Sequence, residues 1–206
     1  MKILKTAALL LLVAAGTVTA RGAVDYQSHN TPQRAVLVER FNAGDSTLTP
    51  GEVADVYYGA VFTDGFTPAG RDYAQINTLR RDRRYGEMKP LCVEALKADP
   101  TSLTLLFRTF AAAFNAPGGR DGALMESART RINQICDAIF ASGTGTTEDS
   151  PFEVACRADI EQFLTNFLQV DEILGMAEMG PLTVANVRLP GREEPAYLYF
   201  RVYSVA

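Results

Sequence analysis

The chain is poor in the residues that metal and nucleophile chemistry most often uses. It holds a single histidine, His29, in 206 residues. One imidazole leaves no zinc-ligand cluster, and no Ser-His-Asp set stands out around it. His29 also falls in the polar stretch Arg21 to Asn30, which is expected to be mobile. Three cysteines, Cys92, Cys136 and Cys156, are too few for a disulfide framework. Their odd number leaves at least one without a partner in the chain. Cys92 and Cys136 lie on apolar helix stripes, which predicts buried thiols acting as small hydrophobes. Excess positive charge is missing too. The formal net charge is −4, which suits nucleic acid poorly as a partner. The small-residue loop Ala141 to Thr147 lacks the lysine and the strand-to-helix setting of a P-loop. No cofactor signature and no metal-ligand spacing is present.

What is there begins with a secretory signal. Lys2 and Lys5 precede an unbroken apolar run from Ala7 to Ala15, and Val18-Thr19-Ala20 offers small residues for cleavage. The run is short for a membrane span. These features predict a signal peptide over 1–20, cleavage after Ala20, and export to the periplasm or beyond. The mature chain 21–206 has no transmembrane segment and the length of one domain. Removing Lys2 and Lys5 from the 20 basic residues leaves 18 against 24 acidic, a net charge of −6.

The mature chain is organised around two consecutive amphipathic helices between Tyr85 and Phe114. Met88, Leu91, Cys92, Ala95 and Leu96 share one face of the first. Leu103, Leu106, Phe107, Phe110, Ala111 and Phe114 share one face of the second, at i, i+3, i+4 spacing. Asp99 is the expected N-cap of the second helix, with Pro100 at N1, so the two fold back as an αα-hairpin. Thr31-Pro32 opens a short helix carrying Leu37, Val38 and Phe41, and Gly44-Asp45-Ser46 ends it. Thr49-Pro50-Gly51-Glu52 is a capping box, and Val53, Val56, Tyr57, Ala60 and Val61 form the stripe behind it. Tyr58 points off that stripe, as a rim residue or a contact for a ligand. A weaker helix runs from Arg71 to Arg84. After the turn Pro117 to Gly122, Met125, Ala128, Ile132, Ile135, Cys136 and Ile139 mark a long helix to Phe140.

The C-terminal third mixes elements. Phe152 to Cys156 reads as a strand or, with Ser150-Pro151-Phe152-Glu153 as a capping box, as a helix start. Ile160, Phe163, Leu164, Phe167 and Leu168 mark a helix. Thr183 to Leu189 and Ala196 to Tyr203 read as strands. Leu198, Phe200 and Val202 alternate with Tyr197, Tyr199, Arg201 and Tyr203, as in an antiparallel sheet with one face on helices. The fold class expected is α+β: mainly α, with a small antiparallel sheet at the C-terminus.

Two resemblances bear on this reading. The run of helices from Arg71 to Ala141 is similar to tetratricopeptide hairpins, through Ala95 and Pro100 at the spacing of that repeat's small residue and closing proline. The mature chain also resembles a bacterial family of exported proteins classed as a domain of unknown function. The likeness rests on Leu48-Thr49-Pro50 through Val56-Tyr57-Tyr58-Gly59 and on Cys92-Val93-Glu94-Ala95-Leu96 with Pro100. Ser142-Gly143-Thr144-Gly145 and Tyr199-Phe200 complete it. An Asp-Glu-Tyr triplet usually follows the Ser-Gly-x-Gly loop in that family. Here Asp159-Ile160-Glu161 stands in its place, and only Asp159 carries over. The resemblance implies export and a helical body with a small sheet, and it implies no activity.

Three functional classes remain. A binding module for a protein or peptide of the cell envelope fits the helical hairpins, and Arg80, Arg81, Arg83 and Arg84 are its candidate contacts, with Tyr58. The ordinary alternative for the arginines is a solvated helix end, where positive charge suits the dipole. A hydrolase would have to use a carboxylate pair, Asp159 with Glu161 or Asp171 with Glu172. A glycan-binding protein would use a platform of Tyr197, Tyr199 and Tyr203.

Overall fold

The computed structural model describes residues 23–204. The expected signal peptide and its cleavage point after Ala20 lie outside the described residues. The chain divides into two compact units, 25–138 and 139–204, the second also holding residues 23–24. The class is α+β and mainly α, with a four-stranded sheet at the C-terminal end.

The first unit opens with a 3₁₀ turn, Tyr26–His29, in the stretch expected to be mobile. Asp25 orders it, its carboxylate accepting from the Gln27 amide at 3.1 Å. Helices α1 (Arg34–Asn42) and α2 (Pro50–Tyr58) follow. The capping box of α2 is formed in both directions: Thr49 Oγ1 accepts from the Glu52 amide, and Glu52 Oε2 accepts from the Thr49 amide at 2.7 Å. Arg40 on α1 donates to Asp45 at 2.8 Å and to Glu52 at 2.9 Å, tying the α1–α2 turn together. A second 3₁₀ turn, Gly59–Phe62, extends the buried face of α2 through Ala60 and Val61.

Helix α3 (Ala74–Arg81) is shorter than expected. Tyr73, at φ −112° and ψ 46°, is non-helical and marks its true start. Helices α4 (Tyr85–Ala98) and α5 (Leu103–Phe114) form the predicted pair, with two corrections. Asp99 ends α4, and Ser102 caps α5, its hydroxyl accepting from the Leu105 amide at 3.3 Å. The buried face of α5 is also rotated from the aromatic stripe. It consists of Leu103, Leu105, Leu106, Thr109, Ala112 and Ala113, while Phe107, Phe110 and Phe114 are half-buried. Small residues at 112 and 113 allow close backbone approach. Thr109 satisfies its own hydroxyl by donating to the Leu105 carbonyl at 2.8 Å. Phe110 and Phe114 stack on the flank at 6.5 Å, beneath Arg120.

Helix α6 (Gly122–Ser142) buries Ala128, Ile132, Ile135 and Cys136, as its periodicity predicts. It also carries Arg131, which is 6% exposed and has only neutral partners. Arg131 donates to Asn42 Oδ1 at 3.0 Å and to the Pro100 carbonyl at 2.7 Å, and lies over the Phe41 ring. Burial pulls its guanidinium down to about 10.

The second unit contains β1 (Phe152–Val154), α7 (Ala158–Gln162) continued by a π-helical turn (Phe163–Phe167), β2 (Glu172–Met179), β3 (Leu182–Arg188) and β4 (Ala196–Val202). The spatial order is β1-β4-β3-β2. The two predicted strands are β3 and β4, paired antiparallel. Phe152 begins a strand, and β1 lies parallel to β4, so the sheet is mixed. Ser150 starts no helix, because its hydroxyl accepts from the Thr144 amide at 3.1 Å. Strand β2 has no sequence signal: it pairs with β3 across a turn at Gly180-Pro181 and is exposed over most of its length. One side of the sheet closes on Phe152, Phe163 and Phe200, whose rings lie 5.2 to 6.3 Å apart.

Candidate functional site

The candidate arginines span the end of α3 and its connection to α4. Arg80 and Arg81 close α3, Asp82 is its C-cap, and Arg84 is the N-cap of α4. Arg83 between them adopts φ 57°, a left-handed conformation uncommon for a residue with a side chain. That single residue reverses the chain and sets α3 beside α4. All four arginines are exposed.

The arginines differ in what they already hold. Arg84 grips Glu87 with two parallel bonds, Nε to Oε1 at 2.8 Å and Nη2 to Oε2 at 2.5 Å. This contact raises the Arg84 pKa and lowers that of Glu87, mainly through the side-chain hydrogen bonds. Arg81 stands 3.6 Å from Asp82. Arg80 and Arg83 make no ion pair among the described residues. Two guanidiniums are therefore uncommitted, and a third needs only to exchange one carboxylate for another.

A groove of ≈ 550 Å³ lies alongside, lined by Gln75, Thr78, Leu79, Arg84, Glu87, Pro90 and Leu91. Its floor is apolar, from Leu79, Pro90 and Leu91. Gln75 and Thr78 form a polar wall on α3. The Arg84–Glu87 pair is part of its polar lining. Pro90 lies inside α4 and, having no amide hydrogen, makes no intrahelical bond to the Gly86 carbonyl. The α3 wall is anchored at its start by Tyr73, whose hydroxyl donates to Asp99 Oδ2 at 2.5 Å. The α4 wall is anchored by Lys89, 3.1 Å from Asp121.

Tyr58 is not at this groove, and it is not a rim residue. It is 3% exposed, and its hydroxyl donates to the Ala138 carbonyl at 3.2 Å. Its ring packs against Tyr57, His29 and Tyr26 at 4.9, 5.5 and 5.6 Å. The Tyr-Tyr-Gly segment is thus an internal junction. A β-carbon at Gly59 would come within 2.6 Å of the His29 carbonyl oxygen and 2.7 Å of the Arg34 side chain. Sequence reasoning missed the partner of His29: its Nδ1 lies 2.8 Å from Asp55 Oδ1, across 26 positions of sequence. No local pattern joins those residues, and only the packing of the N-terminal turn on α2 brings them together.

The Ser-Gly-x-Gly loop is likewise a packing device. Ser142 Oγ donates to the Ile139 carbonyl at 2.6 Å and accepts from the Glu153 amide at 2.8 Å. The Gly145 carbonyl accepts from the Tyr199 amide at 2.8 Å. A β-carbon at Gly143 would lie 2.0 Å from the Pro151 carbonyl oxygen, and one at Gly145 would lie 2.1 Å from the Phe152 ring. The glycines let the loop lie flat on β1 and Phe152.

The carboxylate pairs do not converge. Asp159 is buried and Glu161 exposed on α7, and Asp171 and Glu172 are both exposed at the start of β2. The buried carboxylate near the loop is Glu153, whose Oε1 accepts from Arg201 at 2.6 Å. Of the three tyrosines on the β4 segment, Tyr197 is 59% exposed while Tyr199 and Tyr203 are half-buried. Cys92 and Cys136 are buried, and burial pushes the Cys92 thiol up to about 11. Among the described residues no group of His, Cys, Asp and Glu is placed to hold a metal ion, and no helix is long and apolar enough to cross a membrane.

The chain belongs to the family described as a domain of unknown function (DUF4919), whose model matches residues 25–185. No curated protein and no solved structure matches it.

Proposed function

We propose that this family member is an exported, bacterial protein- or peptide-binding module of the cell envelope, with the α3–α4 groove as its site. The observation that carries the reading is a groove with an apolar lining that Arg84 enters, next in the chain to the exposed Arg80, Arg81 and Arg83. Two nearby carboxylates, Asp82 and Glu87, stand against those four guanidiniums. Arginine offers a rigid fork of donors to carboxylates. A segment with acidic residues flanking one apolar side chain matches the groove in both respects. Export rests on the order of charge, apolar run and small residues over 1–20. The turn between α4 and α5 supports the likeness to tetratricopeptide hairpins, since Pro100 lies in the turn and Ala95 on the preceding helix.

A hydrolase reading finds less support, because the carboxylates named for it point to different surroundings. A glycan platform is weakened by the half-burial of Tyr199 and Tyr203. The test uses two labelled peptides and the mature chain from Arg21. One carries a central leucine flanked by aspartate and glutamate, and the other carries lysine in their place. Saturable binding of the acidic peptide alone supports the reading. Preference for the basic peptide, or binding of neither, overturns it.

A further inference from the structure

The groove between α3 and α4 already holds a carboxylate. Glu87 accepts from Arg84 Nε at 2.8 Å and from Nη2 at 2.5 Å, one oxygen to each donor. Both side chains belong to the lining, beside Leu79, Pro90 and Leu91. A two-oxygen contact of this kind is also the geometry in which a guanidinium takes the carboxylate of a ligand. Glu94 with Lys97 and Glu126 with Arg129 are ion pairs of the same helical spacing. None of those four residues lines the groove. Glu87 is thus set apart by its place, since it sits where an acidic ligand would have to go.

The backbone of Arg84 is fixed while its side-chain contact is open to exchange. The Arg84 amide donates to the Leu79 carbonyl at 2.8 Å, and the Arg84 carbonyl accepts from the Met88 amide at 3.0 Å. These bonds hold Arg84 at the joint of the two helices, and a ligand on its guanidinium leaves them intact. The Arg84 side chain is 53% exposed and that of Glu87 61%. An exposed pair adds little to stability, because water solvates each partner nearly as well. Release of Glu87 returns its carboxylate to water that already reaches it, so the exchange costs little.

We infer that Glu87 is an internal competitor for the groove, and that a ligand carboxylate enters by taking its place on Arg84. This rests on the function proposed above and adds what regulates that site. The exchange trades one carboxylate for another on the same two donors. The number of hydrogen bonds is unchanged, so the net gain from the charged contact is small. The driving force must then come from apolar surface buried against Leu79, Pro90 and Leu91. Arg84 confers preference for a carboxylate, Glu87 holds the affinity down, and an apolar side chain beside the carboxylate is required.

The test titrates the mature chain and its variants with the labelled peptide carrying a central leucine flanked by aspartate and glutamate. It is run in about 0.3 M salt, where exposed charges more than several ångströms apart are largely screened. Glu87→Gln removes the competitor and should tighten binding about two- to fivefold, the scale of one exposed ion pair. Glu94→Gln removes the same charge from α4 outside the groove and should leave binding unchanged. Arg84→Gln should weaken binding, and in that background Glu87→Gln should no longer tighten it. The same peptide with alanine for leucine should bind at least about tenfold more weakly. Wild type that binds while Glu87→Gln binds no tighter overturns the competitor and leaves the groove reading standing. So does equal tightening by Glu94→Gln, or a Glu87→Gln effect that persists without Arg84. Absence of binding by both wild type and Glu87→Gln overturns the competitor and the groove reading together.

Discussion

The hydroxyl of Tyr73 donates to Asp99 at 2.5 Å, joining the start of α3 to the end of α4. Asp99 therefore serves the groove wall instead of capping α5. Burial first, and the Asp99 carboxylate second, push the Tyr73 phenol well above its usual range, so it stays a donor through neutral pH. Tyr73→Phe should lower stability by about 1–2 kcal/mol, the cost of a part-buried hydrogen bond to a charged group. Urea titration should show a lower midpoint with an unchanged slope. An unchanged midpoint would mean that the pair adds nothing.

Leu105→Ala should be far more damaging than Phe107→Ala, although phenylalanine is the larger residue. Leu105 is wholly buried and Phe107 is half-buried. The leucine change should cost about 2–5 kcal/mol, and the phenylalanine change less, because water already reaches that ring. Equal losses in chemical denaturation, or the reverse order, would restore the aromatic stripe as the packed face.

Gly145→Ala should cost about 2–5 kcal/mol, summing a left-handed backbone and an intrusion into the Phe152 ring. Gly122→Ala is the control, since a β-carbon there meets nothing within 4 Å. It should be neutral or raise stability by up to about 1 kcal/mol. Melting temperatures of the two variants decide the matter, and similar values would remove the packing account of the Ser-Gly-x-Gly loop.

Glu153 supplies a pH signature. It is 2% exposed, and burial raises its pKa, with Arg201 and the Val24 amide pulling down without cancelling that effect. A carboxyl raised on folding favours the protonated form in the native state. Its contribution is full below the unfolded value of about 4.3 and is lost as pH rises through the folded value. Glu153→Gln stays neutral throughout. Wild type should therefore lose stability relative to this variant as pH rises above the unfolded value of about 4.3. A relative gain over that range would mean that the Arg201 pair outweighs desolvation.

Features carried by neighbouring residues were legible in the sequence. The Thr49–Glu52 capping box needs only four positions, and the stripes of α2, α4 and α6 need only helical spacing. The alternation at Leu198 and Phe200 marked β4. Features made by tertiary contact were not legible. Tyr58 reads as a rim residue on a helical wheel, and it is buried because Tyr26 and His29 fold over it. Strand β2 escaped because both its faces are largely wet, which erases the alternation a half-buried strand shows. The arginine cluster was visible as composition. Its place on a turn was not, because that depends on the left-handed backbone of Arg83.

The central claim is that the α3–α4 groove binds acidic segments through its arginines. Its most direct test is the association rate of the acidic leucine peptide with the mature chain across a salt series. The protein is compared with its variant carrying glutamine at Arg80, Arg81, Arg83 and Arg84. Exposed charges act mainly on encounter, so the variant should bind more slowly with a flattened salt dependence and nearly the same melting temperature. Identical rates and slopes for the two proteins would contradict the account and place any interface elsewhere.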